Sequence, residues 1–387
     1  MRILYVHRTR GEDAQGIHIR MLCNAFRDLG HEVRLLGPPR SGGSSARAPD
    51  SAELRATGPR LFGRRIPGWA YELGVLAYNV PAFCALVAAM IRWRPDFVYE
   101  RYALFGIAGR VASGLLRVPF VLEVNAPLSL EMNREQRLAL RGLAQRLEDW
   151  LFRHATRTIV VSGAMARILE ARGIPHERLC VMPNGVDRDV FRPDVDGGPR
   201  RQELGLGDRF VVGFVGWVRP WHGVDRLVDA AAALAGRIPE LVVLIVGDGP
   251  AMPDLLARAE AAGIAHRVRF TGAVPAEDVP GYVAAMDVAV QPDVTEYASP
   301  IKLFEYLAMG RPVIAPRRDN ITEVVAEGEQ ALLFEPGDTD GLAGCIERAW
   351  RDADLRRRLA QQAVALVEAR GYYWDGNARK VLRLVAP

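Results

Sequence analysis

A lysine and a glutamate one helical turn apart are the residues of this chain best placed to do chemistry. The stretch Ser299–Ala315 predicts a loop, a helix that ends at Gly310, and a short strand from Val313 to Ala315. The start of such a helix presents free backbone N–H groups and the positive end of the helix dipole, which together favour an anion. Lys302 and Glu305 share one face of this helix because they are three residues apart.

The composition makes Lys302 unusual. Of the 50 basic residues other than histidine, Lys302 and Lys380 are the only two lysines. An ammonium group is a compact point charge that suits phosphate oxygens, whereas a guanidinium is a wide planar fork. We therefore predict that Lys302 binds phosphate. The alternative is an ordinary exposed ion pair with Glu305, which would be common and weak.

Length and composition predict a soluble protein of two domains. The chain has 387 residues, of which 49% are hydrophobic and 25% charged, and its mean hydropathy is +0.01. These values are typical of globular and not of disordered chains. The net charge of +4 comes from arginines spread without a dense basic run. No nucleic-acid partner is therefore expected, while anionic small ligands and an anionic membrane surface remain compatible.

Cysteine usage and the N-terminus predict a cytoplasmic protein. The four cysteines show neither metal-ligand spacing nor a disulfide pattern, which suits a reducing compartment. Residues 1–6 predict a buried strand and lack the layout of a signal peptide. The membrane candidate is Leu73–Ile91, which is mostly apolar but contains Tyr78, Asn79 and Pro81. We interpret it as two core helix segments broken near Pro81, the alternative being a membrane span.

The first half of the chain alternates short apolar runs with helical patterns. A strand, a helix over Gly16–Leu29 and a second strand form a βαβ unit, which implies a parallel sheet. The predicted strands of this half are Arg2–Val6, the turn and strand over Gly30–Leu36, Phe97–Tyr99, Phe120–Val124, Thr158–Val161 and Leu179–Val181. The loop Arg10–Gly16 lies at the carboxyl end of the first strand, where open α/β sheets bind ligands. Arg40–Gly68 is rich in Gly, Pro, Ser and Arg; a disordered insert is favoured over a lid that faces an acceptor or a membrane.

The second half repeats the alternation after a linker at Arg192–Pro199. Its predicted strands are Phe210–Val215, Leu241–Val246, Val268–Phe270 and Val288–Val290, with helices between them. A second parallel sheet follows from this repeat. Two such domains facing each other would leave a cleft between their carboxyl-end loops, which is a preferred location for ligands.

Several motifs, taken in order, resemble those of one enzyme family, glycosyltransferase family 4. They are Gly30–Val33, Val161–Ser162, Pro183–Asp187, Phe214–Gly216 with His222–Gly223, Val246–Pro250 and Ser299–Ala315. The resemblance implies an α/β fold of two Rossmann-like, doubly wound parallel-sheet domains facing across a cleft, the GT-B architecture. It implies an acceptor domain over residues 1–188 and a donor domain over 189–372. The final helix, 373–387, is expected to pack back onto the first domain, the alternative being a plain terminal helix on the second.

The resemblance also implies a donor site around Ser299–Glu305. The Glu305 carboxylate would accept hydrogen bonds from both ribose hydroxyls. Because Pro300 has no N–H, the diphosphate would face the N–H groups of Ile301 and Lys302 and the Lys302 ammonium. Two further donor-binding residues are expected here, Ser299 beside that helix start and Gly216 after the first strand of the second domain.

Two positions near this site depart from the family pattern. The family often has an Arg and a Lys before a Gly, where this chain has Arg219 and His222 before Gly223. His222 therefore either contacts phosphate, when protonated, or serves a structural hydrogen bond. Counting eight residues back from Glu305 reaches Tyr297, with Glu296 one residue away from the place of a family glutamate. Glu296 is kept as a candidate catalytic residue.

The first domain carries the acceptor-facing candidates. Many family members have a histidine where this chain has Asn125, which can bind a sugar hydroxyl but cannot transfer a proton at neutral pH. Gly16 is left to let the backbone approach the donor phosphate. Glu12 and Asp13, in the same loop, are further candidates to face the acceptor sugar. Acceptor choice is assigned to first-domain loops such as Arg40–Gly68 and Tyr99–Tyr102.

Electrostatic stabilisation is the expected mechanism. Lys302, Arg219 and the helix start would stabilise charge that develops on the leaving diphosphate. The hypothesis is front-face transfer with retention, in which the leaving phosphate helps to deprotonate the acceptor. Three Asp-x-Asp matches, at Asp194, Asp338 and Asp352, are interpreted as solvated turns. No metal and no cofactor are therefore expected.

The predicted function is a retaining glycosyltransferase that moves a sugar from a nucleotide-diphosphate sugar to a hydroxyl acceptor. A glycan, a lipid-linked glycan and a natural product all remain open as acceptors, and peripheral contact with the inner membrane face is compatible with cytoplasmic location. A nucleotide-sugar epimerase of the same fold and a non-catalytic nucleotide-sugar binding protein are the alternatives. The sequence does not define the sugar, the nucleotide, the acceptor or the oligomeric state.

Overall fold

The computed structural model describes residues 1–9, 14–37, 60–61, 64–65, 67–134 and 137–385. The chain divides into two compact units, the first comprising Met1–Met182 with Ala378–Pro387 and the second Pro183–Asn377. The boundary falls a few residues before the predicted one at 188. The last helix begins in the second unit, and its residues from Ala378 onward belong to the first.

The first unit contains a six-stranded parallel sheet. Its strands are β1 (Arg2–Val6), β2 (Glu32–Leu36), β5 (Phe97–Arg101), β6 (Phe120–Val124), β7 (Arg157–Val160) and β8 (Leu179–Val181). They lie in the order β2-β1-β5-β6-β7-β8. Two short strands, β3 (Arg60–Leu61) and β4 (Arg64–Arg65), pair antiparallel with each other. The helices are α1 (Ala14–Asp28), α2 (Gly68–Ala77), α3 (Asn79–Trp93), α4 (Ala108–Leu116), α5 (Leu128–Arg134), α6 (Arg141–His154) and α7 (Gly163–Ala171).

The second unit contains another six-stranded parallel sheet. Its strands are β9 (Phe210–Val215), β10 (Leu241–Val246), β11 (Val268–Phe270), β12 (Val288–Val290), β13 (Val313–Pro316) and β14 (Ala331–Phe334). They lie in the order β11-β10-β9-β12-β13-β14. The helices are α8 (Gly198–Glu203), α9 (Val224–Leu234), α10 (Met252–Ala261), α11 (Val279–Ala284), α12 (Ile301–Ala308), α13 (Asp319–Thr322), α14 (Thr339–Arg351), α15 (Ala353–Arg370) and α16 (Trp374–Val385).

Continuous apolar strands form the core of the second unit. Every residue of β9 and β10 is buried, as expected when helices cover both faces of a parallel sheet. One hydrophobic cluster lies on the face covered by α9 and α14, and another on the face covered by α12. The prediction of two parallel-sheet domains is thus confirmed.

Two features of the second unit were not predicted. Strand β14 has the sequence Ala-Leu-Leu-Phe, which combines good helix formers with no alternation, so its pattern does not indicate a strand. The terminal helical region is broken at Gly371, close to the expected position, but also at Asp352. The Asp352 side chain accepts a hydrogen bond from the Leu355 N–H at 2.7 Å and so starts α15.

The membrane candidate is helical and interrupted as predicted, but its interpretation as core is wrong. The helices α2 and α3 meet at Tyr78, three residues before Pro81. Over Gly68–Trp93 the chain is long and apolar enough to cross a membrane, and only 17% of its most apolar window is buried. The prediction failed because hydrophobicity alone does not tell a buried helix from one whose apolar face points outward.

The Asp-x-Asp matches are helix caps and a turn. Asp338 caps α14 by accepting from the Gly341 N–H at 2.9 Å, and Asp352 caps α15. Asp196 accepts from the Gly198 N–H at 2.8 Å within its own turn. Each match therefore has a local structural explanation.

Candidate active site

The site lies at the point where the strand order of the second sheet reverses. Strands β9 and β12 are neighbours, yet β9 also pairs with β10 on its other edge, so helices leave in opposite directions from this point. Open α/β sheets bind ligands outside the carboxyl ends of such strands. The helix α12 starts in this region, and its N-cap residue Pro300 provides no side-chain cap for the first turn.

The Lys302 side chain lies against the end of β9. Its Nζ is 3.9 Å from the centroid of the Phe214 ring. A methyl group on Gly216, whose φ is +134°, would be 2.9 Å from the same nitrogen. The positive φ favours glycine at this position, and a larger residue would also force the Lys302 ammonium to shift.

Lys302 and Glu305 are both half-buried, one helical turn apart on α12. Burial lowers the pKa of Lys302 to about 7, although the neighbouring Glu305 works to raise it. Burial likewise raises the pKa of Glu305 to about 7, opposed by Lys302. The alternative of an ordinary exposed ion pair does not describe these two residues, because low solvent access shifts both of them toward neutrality.

Tyr306 fixes α12 against the sheet. Its hydroxyl accepts a hydrogen bond from the Val215 N–H at 2.8 Å, and the side chain is completely buried. This bond sets the position of Lys302 relative to the end of β9. No sequence pattern indicated this role, since Tyr306 has the spacing of one more buried residue of an amphipathic helix.

Closely approaching glycines bring the loops after β9 and β10 together. Gly247 has a φ of +127°, and a methyl group on it would lie 2.2 Å from the Gly216 carbonyl oxygen. A methyl group on Gly249 would likewise lie 2.2 Å from the Val218 carbonyl oxygen. Larger residues at these positions would displace the loop that carries Gly216.

Arg219 and His222 follow on the same loop. The Arg219 guanidinium lies 5.0 Å from the centroid of the Trp221 ring, and the Arg219 N–H donates to His222 Nδ1 at 3.4 Å. Burial, followed by the charges of Lys302 and Arg219, lowers the pKa of His222 to about 3. His222 is therefore neutral at physiological pH, which favours the structural of its two predicted roles.

Ser299 is held by the Pro183–Asp187 motif. Its hydroxyl accepts from the Asn184 N–H at 3.0 Å, and the Asn184 side-chain amide donates to the Ser299 carbonyl at 2.5 Å. The structure thus gives Ser299 a positioning contact immediately before Pro300 and Ile301. The motif was visible in the sequence, but its partner was not, because the two residues are 115 positions apart.

The loop before Ser299 exposes Glu296 and buries Tyr297, which is 4% exposed. Asn320 holds this loop by donating to the carbonyls of Thr295 and Ala298, at 3.0 and 2.6 Å. Asp293 accepts from Arg226 and Arg318, each at 2.8 Å, and these cations lower its pKa despite burial. Sequence reasoning missed both Asn320 and Asp293, whose partners are distant in the chain.

In the first unit, Asn125 follows β6 and is bound to a buried carboxylate. Its side-chain amide donates to Glu123, which also accepts from Tyr99 at 2.8 Å and from Arg101 at 2.5 Å. Burial works to raise the pKa of Glu123, but His18, Arg101 and these hydrogen bonds hold it below its usual range. Asn125 is therefore fixed by its nitrogen, which leaves its oxygen to accept.

The other first-unit candidates have different outcomes. Gly16 is buried in the first turn of α1. Glu12 and Asp13, and most of Arg40–Gly68, lie outside the described residues. The assignment of Tyr99–Tyr102 to a loop is wrong, since Phe97–Arg101 is a strand in which Tyr99 and Glu100 are buried. The adjacent charged residues Glu100 and Arg101 at the end of a buried strand resembled the composition of a loop.

Two parallel-sheet units of this topology define a two-domain α/β protein of the GT-B class. A family described as "Glycosyl transferase 4-like domain" matches residues 14–185, and one described as "Glycosyl transferases group 1" matches residues 209–352. The crystal structure of Anabaena HepE in complex with UDP-glucose is 24% identical, with a TM-score of 0.74 and 99% coverage of both chains. The likeness to this structure supports the fold.

Relatives of known name identify the family. D-inositol 3-phosphate glycosyltransferase 2 of Catenulispora acidiphila is 30% identical over 390 residues, which cover 92% of this chain and 88% of the relative. Alpha-D-kanosaminyltransferase of Streptomyces kanamyceticus is 29% identical over 67% of this chain and 68% of its own length. The chain belongs to glycosyltransferase family 4, and it is a glycosyltransferase.

Proposed function

We propose that this glycosyltransferase moves a sugar from a nucleotide-diphosphate sugar to a hydroxyl acceptor, with retention of configuration and without a metal. The observation that carries the proposal is the position of Lys302 at the reversal point of the second sheet. There its Nζ lies beside the Phe214 ring and the open backbone of Gly216, at the start of α12. An ammonium, an uncapped helix start and close glycine backbone form a phosphate-binding arrangement.

The nucleotide would extend from the diphosphate along α12. Glu305 lies one turn beyond Lys302, where its carboxylate would accept hydrogen bonds from the two ribose hydroxyls. Ser299 and Ile301 would flank the phosphates at the helix start, and the Asn184 contacts hold Ser299 in place. The name of the HepE complex, which contains UDP-glucose, supports a donor of this class.

The chemistry asked of the protein is to neutralise a leaving diphosphate. Lys302 and Arg219 would supply positive charge to it as the glycosidic bond breaks. The diphosphate would take the proton of the attacking acceptor hydroxyl on the face it leaves, and the new bond would form on that same face. Glu296 is exposed on the neighbouring loop, from which it would contact the donor sugar and not the diphosphate.

Metal independence is supported by the local roles of the acidic pairs. Asp196, Asp338 and Asp352 cap helices or close a turn. Within the described ranges no group of three or more His, Cys, Asp or Glu side chains is arranged to hold a metal ion. In this proposal, Lys302 and Arg219 perform the charge neutralisation that a divalent cation performs in metal-dependent enzymes.

The acceptor side is proposed on the first unit. Asn125 lies at the carboxyl end of β6, and Glu12 and Asp13 follow β1 in sequence. A cytoplasmic location stays part of the proposal, and the outward-facing apolar segment Gly68–Trp93 supports peripheral contact with a membrane face. The acceptors remain glycans, lipid-linked glycans or natural products that offer a hydroxyl.

The experiment combines UDP-, GDP-, dTDP- and ADP-sugars with inositol phosphate and aminocyclitol acceptors in EDTA. These acceptors are chosen because two relatives are named a D-inositol 3-phosphate glycosyltransferase and a 2-deoxystreptamine glucosyltransferase. Mass spectrometry would detect the product and NMR its anomeric configuration. We expect a retained product with at least one pair, lost in Glu305→Ala. Conversion of the donor to an isomer without an acceptor would instead establish the epimerase, and donor binding without turnover of any acceptor would favour the binding protein.

A further inference from the structure

The first unit carries an apolar surface made by α2 and α3. We call it the α2–α3 face, defined by the exposed side chains of these helices and their junction. Its members are Trp69, Tyr71, Leu73, Tyr78, Val80 and Ile91, which are 55, 51, 44, 51, 69 and 62% exposed. On α4, which packs against α3, Val111 and Leu115 are exposed as well. A concentration of exposed apolar side chains on one pair of helices is a candidate interaction site.

Glu72 and Asn79, the acidic and amide residues of these two helices, are turned inward. Glu72, the only acidic residue between 68 and 93, is 5% exposed and accepts from the N–H groups of Ala139 and Leu140 at 2.8 and 2.7 Å. Asn79 is 9% exposed and accepts from the N–H of Ile107 at 2.9 Å. The pattern is the reverse of a water-facing helix, in which polar side chains point outward.

The charge around this face is positive. Residues 67–134 contain five acidic residues, of which Glu72, Glu100 and Glu123 are buried. The same range contains six arginines, four of them exposed: Arg92, Arg94, Arg117 and Arg134. Asp96 and Glu131 are the acidic residues of this range that are not buried, so its exposed charge is mainly positive and complements an anionic lipid surface.

Two of these arginines sit where glycine is normally found. Arg94 and Arg117 are the C-cap residues of the adjacent helices α3 and α4, with φ of +53° and +55°. A left-handed backbone at a helix end is strained for a side chain other than glycine or asparagine. Replacing either arginine by glycine would remove a charge and relieve a left-handed position, so this pair is suited to testing what the charge does.

The residues that α3 buries favour docking over crossing. Gly68–Trp93 as a whole is long enough to cross a membrane, so its length does not decide between the two. Leu86, Met90 and Trp93 are buried within the unit. Trp69, Tyr71 and Tyr78 are the residue types that favour the interface between lipid and water.

We propose that the α2–α3 face docks on an anionic phospholipid bilayer, with its apolar side chains at the acyl boundary and Arg92, Arg94 and Arg117 on the headgroups. This inference deepens the membrane contact in the proposed function and rests on it. The Arg8 guanidinium, which follows β1, lies 5.3 Å from the centroid of the Tyr78 ring and donates to Asn79 at 2.8 Å. A docked bilayer would thus adjoin the carboxyl edge of the first sheet, where the acceptor is proposed.

The first experiment is co-sedimentation of the full chain with phosphatidylglycerol and phosphatidylcholine vesicles, without donor or acceptor. We expect binding to the anionic vesicles that weakens with salt. The double substitution Leu73→Glu with Val80→Glu should lower partitioning at least about tenfold. Leu256→Glu with Val190→Glu adds the same charge at exposed residues of the second unit and should leave binding unchanged.

The double substitution Arg94→Gly with Arg117→Gly separates loss of vesicle binding from loss of folding. It relieves two left-handed positions, so the Tm should be equal or higher, while binding to anionic vesicles should fall at least about fivefold. Quenching of tryptophan fluorescence by brominated lipid should be reduced by Trp69→Phe and not by Trp221→Phe, the latter exposed in the second unit.

Two results would overturn the docking proposal. One is failure of the wild-type chain to bind anionic vesicles. The other is a dimer in solution that Leu73→Glu with Val80→Glu converts to a monomer, since a second copy would then cover the face. Transfer to a water-soluble acceptor is measured without vesicles, so failure of the proposed function would show there while vesicle binding persisted.

Discussion

The ammonium nitrogen of Lys302 lies 3.9 Å from the centroid of the Phe214 ring. An aromatic face attracts a cation without neutralising it, so Lys302 is held in place with its charge available for an anion. Phe214 belongs to β9 and Lys302 to α12, and the hydrogen bond between Val215 and Tyr306 joins these two elements. The proposed phosphate contact thus depends on the packing of one helix on one strand.

Replacing Lys302 tests its role in charge stabilisation. Lys302→Ala should lower kcat by about 10²–10³, the usual cost of removing one preorganised partner of a developing charge. The matched control is Lys380→Ala, because Lys380 is the only other lysine and its Nζ donates to the Val181 carbonyl in the first unit. Steady-state kinetics with a saturating donor provides the measurement. Unchanged turnover in Lys302→Ala would exclude this part of the mechanism.

Donor affinity should be greatest near pH 7. Above pH 7 Lys302, with a pKa of about 7, loses the proton that phosphate binding needs, and below pH 7 Glu305, with a pKa of about 7, loses its carboxylate. Calorimetric titration with a nucleotide sugar is suitable, since its diphosphate diester does not itself titrate near neutral pH. In Glu305→Gln the acidic limb should disappear and the alkaline limb move to lower pH, because Glu305 raises the pKa of Lys302. A flat profile in the wild type would contradict the prediction.

The buried pair should cost stability near neutral pH. Between pH 7 and 10.5 Lys302 is protonated in the unfolded chain but largely neutral in the folded one, so the free energy of unfolding rises with pH. Between pH 4.5 and 7 Glu305 is protonated in the folded chain but ionised in the unfolded one, so the free energy of unfolding falls as the pH rises. Lys302→Met with Glu305→Gln should remove this minimum and raise the Tm at pH 7 by about 2–4 °C while abolishing nucleotide binding. Thermal unfolding at pH 5.5, 7 and 8.5 gives the comparison. A large drop in Tm at pH 7 would show that the pair is structural.

His222 should act as a neutral residue. With a pKa of about 3 it carries no charge at physiological pH, so His222→Gln should change nucleotide affinity less than about threefold. His222→Lys places a cation beside Lys302 and Arg219 and should tighten binding of a nucleoside diphosphate. The gain in affinity should be larger at low salt than at high salt, because salt screens the attraction. Calorimetry at two salt concentrations measures both variants. A large loss of affinity in His222→Gln would instead assign His222 a direct contact with phosphate.

The sequence predicted most of the fold because buried parallel strands are continuous apolar runs. Strands β9 and β10 were located at their observed bounds for that reason. Strand β14 was missed because Ala331–Phe334 has the composition of a helix, and tertiary pairing with β13 decides its conformation. The outward orientation of α2 and α3 was missed because it depends on where Glu72 and Asn79 find their partners.

The charged residues of the candidate site were predicted from the sequence, but the residues that hold them in position were not. Lys302 and Glu305 stood out through residue type and spacing along one helix. Tyr306, Asn320 and Asp293 act through contacts with residues far along the chain, which no local pattern indicates. The pKa shifts of Lys302 and Glu305 depend on burial, which is a property of the folded chain.

Calorimetric binding of UDP, GDP, dTDP and ADP, each in EDTA, tests the central claim most directly, namely that the Lys302–Glu305 helix face binds a nucleoside diphosphate without metal. The account predicts saturable binding of one nucleotide to the wild type, at least about tenfold weaker in Glu305→Ala and unchanged in Lys380→Ala. Binding that requires added metal, or that Glu305→Ala leaves unchanged, would contradict it.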